Sequence, residues 1–242
     1  MNAPARGTLY LVPVALGDAP WQSFLPQQAQ ATVAGLRHFV VETARSARAH
    51  LKQLDFPHPL RETDVRELPA DPAAVPDAAI DALLAPALVG EDIGLMSDAG
   101  CPAVADPGAR LVARAHALGI RVVPLVGPSS ILLGLMGSGL NGQSFAFHGY
   151  LPVAEAERDE RIRTLENESR TRQRTQIFIE TPYRNDRLFE ALLRVCRPDT
   201  RLCVACDLST AAEYLATRSI GDWRRGDRPA LSKRPALFLL LA

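Results

Sequence analysis

The sequence carries no excess charge of either sign: 27 Lys and Arg residues balance 27 Asp and Glu residues, for a formal net charge of zero. A protein that grips duplex nucleic acid unaided usually carries a basic excess. Autonomous duplex binding is therefore disfavoured, while a local basic patch, or a target presented by a larger assembly, stays open. Long apolar runs are missing too. None approaches the roughly 20 residues that cross a bilayer, and the longest, PALFLLLA at 235–242, has the length of a strand. Arg6 precedes an apolar stretch, but Pro13 and Gly17 interrupt it. TLYLVPVALGD therefore reads as a strand and a loop rather than a secretory leader, and a cytoplasmic location is the expectation. Cysteine is scarce: Cys101, Cys196, Cys203 and Cys206 are the four present. CVAC suggests a metal or redox pair, yet side chains three apart on a strand face opposite ways. No second cysteine pair or neighbouring histidine completes a zinc set, and His38, His50, His58, His116 and His148 are scattered, so no metal is expected. Glycine-rich phosphate signatures and the G-x-S-x-G elbow are also absent, which disfavours classical dinucleotide binding, nucleotide hydrolysis and serine hydrolysis.

What is present reads as a globular α/β chain. Apolar residues make up 47% and charged residues 22% of 242 residues, enough for a large core or two domains. β-Branched and apolar runs predict strands at 8–14, 37–42, 93–98, 120–126, 145–150, 175–181, 201–206 and 235–241. Helical patterns fall between them, near 20–34, 43–54, 76–85, 108–118, 128–138, 154–169 and 184–196. This alternation predicts largely parallel sheets covered by helices. The early strands are apolar on both faces. RLCVAC and AEYLATRSI look more alternating and predict a mixed sheet with one wetter face. The change places a domain boundary near residue 126, giving domains 1–126 and 127–242. Segment 55–77, rich in Pro and Asp, reads as a long loop. The highly charged stretch 155–174 reads as a solvated helix, although Arg170, Arg172 and Arg174 run without acids between them.

Ligands of parallel α/β sheets gather at the C-terminal strand ends. Four successive ends carry suggestive loops: VALGDAP (14–20), ETARSAR (42–48), SDAGCPAVADPG (97–108) and VGPSS (126–130). Each alone could be a plain helix start, with Asp106 or a serine as cap and Pro107 or Pro128 opening the helix. Their coincidence points to a small-molecule site, since glycine admits close approach and helix N-termini offer free N–H groups.

GTLYLVPVALGD, SDAGCPAVADPGARLVARAHALGIRVVPLVGPSS, SGLNGQSFAFHGYLP and IFIETPYRNDRLFEAL together resemble the tetrapyrrole methylase superfamily. Within it they look most like the 16S ribosomal RNA cytidine ribose 2′-O-methyltransferases. The resemblance implies a two-lobed α/β fold, a parallel N-terminal sheet and a mixed C-terminal sheet, with S-adenosylmethionine bound in a cleft between them, and commonly a homodimer. It implies that Gly17 and Asp18 lie in the first loop of the site. Ser97, Asp98, Ala99, Ala103 and Val104 would border the amino acid and ribose parts of the cofactor, with Ser129 and Ser130 as a small polar pair. Glu180, Thr181, Ala205, Cys206, Pro235 and Ala236 would line the adenine side.

The sequence departs from the RNA-modifying branch in several places. Asp18 stands where Asn is typical, and Glu42, Thr43, Ala44 and Arg45 stand in place of Glu-Asp-Thr-Arg. Segment 55–68 has no clear counterpart of the His-Glu-His-Asn element, and longer members continue past the point where this sequence ends. The implied chemistry is methyl transfer by in-line displacement, which needs alignment and, for a hydroxyl acceptor, a group that loosens its proton. Glu42 is the first candidate for that group, with charge compensation at a helix N-terminus as its plain alternative. Arg45 would orient an anionic substrate. RNA, or a ribosomal subunit, is the expected acceptor. A tetrapyrrole or other small-molecule acceptor, or a catalytically inactive regulatory protein that keeps the cofactor site, are the competing expectations.

Overall fold

The computed structural model describes residues 5–72 and 74–242. The chain divides into two units, one ending at Ser129 and one comprising Ser130–Ala242.

The first unit contains β1 (Thr8–Leu11), α1 (Gln27–Ala34), β2 (His38–Val41), α2 (Ala44–Gln53), β3 (Asp64–Glu67), α3 (Asp77–Leu83), α4 (Ala85–Leu88), β4 (Ile93–Met96), α5 (Ala109–Ala117) and β5 (Arg121–Pro124). Its strands are ordered β3-β2-β4-β1-β5, and every neighbouring pair is parallel. Parallel neighbours require a crossover, which the intervening helices supply. Consequently all five C-terminal strand ends emerge along one edge of the sheet. Two apolar cores form, one on each face. α1 and α2 cover Val12, Phe39, Val41 and Met96 with Val33, Ala47 and Leu51. α3, α4 and α5 cover Leu9, Val40, Ile93 and Leu95 with Ile80, Ala87, Leu111 and Ala115. Burial on both faces explains why the central strand IGLM is apolar throughout and wholly buried.

The second unit contains α6 (Ser130–Ser138), β6 (Phe145–Tyr150), α7 (Glu155–Arg172), β7 (Thr175–Glu180), α8 (Asn185–Val195), β8 (Arg201–Cys206), β9 (Tyr214–Ser219), α9 (Ile220–Arg225) and β10 (Ala236–Leu241). The order is β6-β7-β10-β8-β9; β6 and β7 are parallel and the other pairs antiparallel. One face packs Phe178, Val204 and Phe238 against Leu165, Leu192 and Trp223 of α7, α8 and α9. Trp223 is fully buried and its indole N–H donates to Leu202 O at 2.9 Å, which satisfies its one polar group. α6 lies close on the other face, because a Cβ at Gly134 would come within 2.4 Å of Leu237 and one at Gly137 within 2.5 Å of Leu215.

Two sequence expectations are corrected. Segment 55–77 is not one long loop: Asp64–Glu67 forms the edge strand β3, parallel to β2. DVRE escapes hydrophobic-pattern reading because an edge strand is held by ladder hydrogen bonds on one side while its side chains stay wet. The paired residues His38 and Asp64 add a 3.0 Å side-chain contact that marks the register. RLCVAC does not have a wetter face either. β8 lies inside the sheet and is buried from Leu202 to Cys206. Cys206 packs in the helix-covered core, while Cys203, three residues earlier on the strand, points to the opposite face.

Candidate functional site

The loops that follow β1, β4 and β5 close on one another at the C-terminal edge of the parallel sheet. Val12 N donates to Leu95 O at 2.8 Å, and Val14 N to Gly100 O at 2.9 Å, an isolated antiparallel bridge between the first and third loops. Gly100 has φ +67°, and a Cβ there would lie 3.1 Å from Leu16 Cδ2 and 3.6 Å from Pro128 O. A residue without a side chain takes that backbone conformation without strain and lets three loops come close. Cys101 Sγ donates to Pro128 O at 3.2 Å, drawing the β5 loop in. Ala103 and Ala105, at φ +66° and +63°, hold the left-handed region without being glycine. Such conformations cost roughly 1–3 kcal/mol each and collect at ligand-binding loops.

Carboxylates converge on this edge. Asp98 N donates to Glu42 Oε2 at 3.1 Å, and Thr43 Oγ1 donates to Asp98 Oδ2 at 3.0 Å. His50 Nε2 lies 2.9 Å from Asp98 O, so that ring nitrogen carries the proton. Asp106 is half-buried; desolvation first, then the charges of Glu42 and Asp98, push its carboxyl up to about 6, with a hydrogen bond from Ser97 pulling the other way. Ser97 itself is buried and donates to Ala99 O at 3.1 Å.

Glu67, at the end of β3, accepts from Ala44 N at 2.7 Å and so serves the N-terminus of α2. The plain alternative for Glu42 therefore falls to Glu67. Glu42 Oε1 has no hydrogen-bond partner among the described residues.

Glu42 and Asp98 are thus directly joined. Arg45 is exposed in the first turn of α2. Gly17 and Asp18 are exposed in the β1 loop, and Ala99 and Val104 are exposed in the β4 loop. Ala103 is half-buried in the β4 loop; Ser129 follows the buried Pro128, and Ser130 opens α6 in the second unit. In that unit the ladder pairs Ala236 with both Glu180 and Cys206, so 180–181, 205–206 and 235–236 adjoin at one end of the mixed sheet. Glu180 is buried and accepts from Thr181 N at 2.7 Å and Arg184 Nη2 at 2.6 Å. Burial pushes the Cys206 thiol up to about 11, so it stays protonated at neutral pH.

Thr43, His50, Glu67 and the charged role of Asp106 were not legible beforehand. Asp106 read as a helix cap, but α5 begins at Ala109 after Gly108, with no side-chain cap. Pro107 does not open that helix, nor Pro128 the next, which begins at Ser130.

A family model described as Tetrapyrrole (Corrin/Porphyrin) Methylases matches residues 8–223. The Ribosomal RNA small subunit methyltransferase I of Pseudomonas aeruginosa is 37% identical over 141 residues, 57% of this chain and 49% of that protein. The protein of the same name from Halalkalibacterium halodurans is 32% identical over 206 residues, 82% of this chain and 64% of that protein. This chain spans about half to two thirds of the length of these curated relatives. Among solved structures, the methyltransferase CobJ aligns with a TM-score of 0.60 at 18% identity, over 96% of this chain and 93% of that one. The uroporphyrin-III-C-methyltransferase of Thermus thermophilus aligns with a TM-score of 0.54 at 20% identity, over 98% and 92%. The two structures share the fold. The chain belongs to the tetrapyrrole methylase family.

Proposed function

We propose, with that membership as the premise, that the protein is an S-adenosylmethionine-dependent methyltransferase acting on a ribose 2′-hydroxyl of small-subunit ribosomal RNA. The name shared by the relatives supports the acceptor class. The observation that carries the reading is the state of Glu42: one oxygen is tethered to Asp98 N, the other has no partner among the described residues, and Glu67 relieves it of helix capping.

The residues suit the donor. S-adenosylmethionine bears a sulfonium and an ammonium, and Asp98 and Asp106 place carboxylates together on one edge. Gly17, Asp18, Ser97, Asp98, Ala99, Ala103 and Val104 would hold it from the first unit. Ser129 would join them, and the family resemblance assigns Ser130, Glu180, Thr181, Ala205, Cys206, Pro235 and Ala236 of the second unit to the same donor. When bound, the donor would supply an electrophilic methyl group, and the rest of the donor would depart as a neutral thioether when the C–S bond breaks.

This chain's own residues do the rest. Thr43 and His50 fix Asp98 from its side chain and its carbonyl, and Asp98 N fixes Glu42. Glu42 Oε1 takes the proton as the acceptor oxygen forms its bond to carbon. Arg45, without an ion pair among the described residues at the start of α2, holds the phosphate beside the acceptor ribose. A cytoplasmic setting and a homodimer belong to the same reading.

The test is incubation with labelled donor and small ribosomal subunits from a strain lacking the protein. Label should enter RNA and remain in dinucleotides after alkaline hydrolysis, because a methylated 2′-oxygen cannot attack its phosphate. Label in uroporphyrinogen instead would move the acceptor to a tetrapyrrole. Donor binding with no transfer to RNA or metabolites would make the protein regulatory.

A further inference from the structure

α2 starts at this edge and buries Ala47 and Leu51, which leaves Arg45, Arg48 and Lys52 exposed. Spacings of three and four residues put them in one stripe spanning about 10 Å. The helix has no acidic residue. Among the described residues none of the three side chains has an ion pair or hydrogen bond. The acids at its two ends point elsewhere: Glu67 accepts from Ala44 N at 2.7 Å, Glu42 from Asp98 N at 3.1 Å, and Asp55 from Trp21 Nε1 at 2.7 Å.

Lys52, in the last turn, suits the helix dipole, but the rest of the stripe does not help the helix. A cation in the first turn opposes the helix dipole, and like charges three or four residues apart repel. It is not a by-product of a basic chain either, because the whole sequence is neutral. Three cations in one stripe, with no acidic partner among the described residues, suit a polyanion with regularly spaced charges.

We propose that Arg48 and Lys52, continuing from Arg45, seat the phosphate backbone of the RNA strand whose ribose reaches Glu42. This rests on the RNA reading above and extends it to a surface outside the reacting centre. The contacts carry no base information; they set the position and direction of the strand.

The experiment measures retention of a single-stranded oligoribonucleotide between about 50 and 200 mM salt. It compares the unmodified protein, an Arg48→Gln/Lys52→Gln variant, an Arg48→Lys variant and an Arg121→Gln control. Arg121 is exposed at the start of β5, where that strand enters the sheet. Each lost phosphate contact lowers the slope of log affinity against log salt by about 0.7. The double variant should lose about 1.4 of slope and on the order of tenfold in affinity. Donor affinity should not change and the thermal midpoint should not fall, and Arg48→Lys and Arg121→Gln should keep the full slope. An unchanged slope in the double variant, beside an unmodified protein that methylates RNA, overturns the stripe and leaves the RNA reading standing. An unmodified protein that neither retains nor methylates RNA overturns both. Equal retention of polyglutamate, lost in the same double variant, overturns the RNA assignment in favour of an acidic protein partner.

Discussion

α2 and α5 are written in nearly the same residues, ARSARAHLKQ and ARLVARAHA, and lie on opposite faces of one parallel sheet. Each buries a small and a large apolar residue and follows a strand end that bears a carboxylate. Their arginines have different fates. Arg114 makes paired contacts of 2.7 and 2.6 Å with Asp81, and Arg110 and Arg114 both reach Asp77. Arg45 and Arg48 meet nothing among the described residues. His50 reaches Asp98 O, whereas His116 is exposed. A helix sequence therefore does not state its own role. α3 lies across from α5 and brings Asp77 and Asp81; among the described residues no such acidic helix pairs with α2.

The largest expected effect lies at the edge where α2 begins. Glu42→Gln keeps an acceptor for Asp98 N but removes the base. Methyl transfer should fall by about 10²–10⁴-fold with donor affinity unchanged, measured by single-turnover label transfer beside calorimetry. Loss of donor affinity with an undiminished transfer step would assign Glu42 to the donor and dissolve the contrast with α5.

A smaller effect belongs to Asp106, on the approach to α5. Its carboxyl ionises at about 6 in the folded chain, against 3.8 ordinarily. The unfolded chain therefore ionises first as pH rises. The protonated group is tolerated below 3.8, and folding loses stability progressively up to about 6. Asp106→Asn should stabilise the protein by about 1 kcal/mol above that window, allowing for solvent screening, with no difference at pH 3.5. Urea melts across pH check this. The same ionisation adds negative charge at the edge, so donor affinity should rise about threefold as pH passes through about 6. A flat affinity profile would place Asp106 away from the donor.

The smallest effects separate the two helices directly. Arg114 is held in its charged form by the Asp81 hydrogen bond, and Asp81 is held below the usual carboxylate range by the same contact. Asp81→Asn should lower the thermal midpoint at neutral pH, and the difference should vanish as acid protonates Asp81 in the parent protein. Arg48→Gln should leave the midpoint where it is, or raise it slightly by relieving like-charge repulsion. If both substitutions destabilise equally, α2 has a structural partner and the stripe is not free.

Much of the architecture was legible because strand and helix periods alternate along the chain. IGLM reads as a strand buried on both faces, and it is. The loops after it stand out because SDAGCPAVADPG packs turn formers behind a buried strand. The edge strand DVRE did not stand out, since its neighbours on one side hold it and its side chains need no apolar pattern. Hiding β3 also hid Glu67, and with it the residue that accepts from Ala44 N at the start of α2. His50 reads as one polar residue on an amphipathic helix; its contact with Asp98 O spans 48 positions and has no local signature.

The central claim is that the loops gathered at Gly100 form the donor site. Gly100 and Gly139 have φ near +67° and +65°, so alanine at either costs roughly 1–2 kcal/mol of backbone strain. At Gly139 no atom lies within 4 Å of the added Cβ, whereas at Gly100 it meets Leu16. Titrating S-adenosylmethionine calorimetrically into the parent protein, Gly139→Ala and Gly100→Ala tests the claim most directly. The account predicts equal affinity for the first two and at least about a tenfold loss for the third, since forced shifts at a ligand loop are felt in binding. Equal affinity in all three, or no binding by the parent protein, would contradict it.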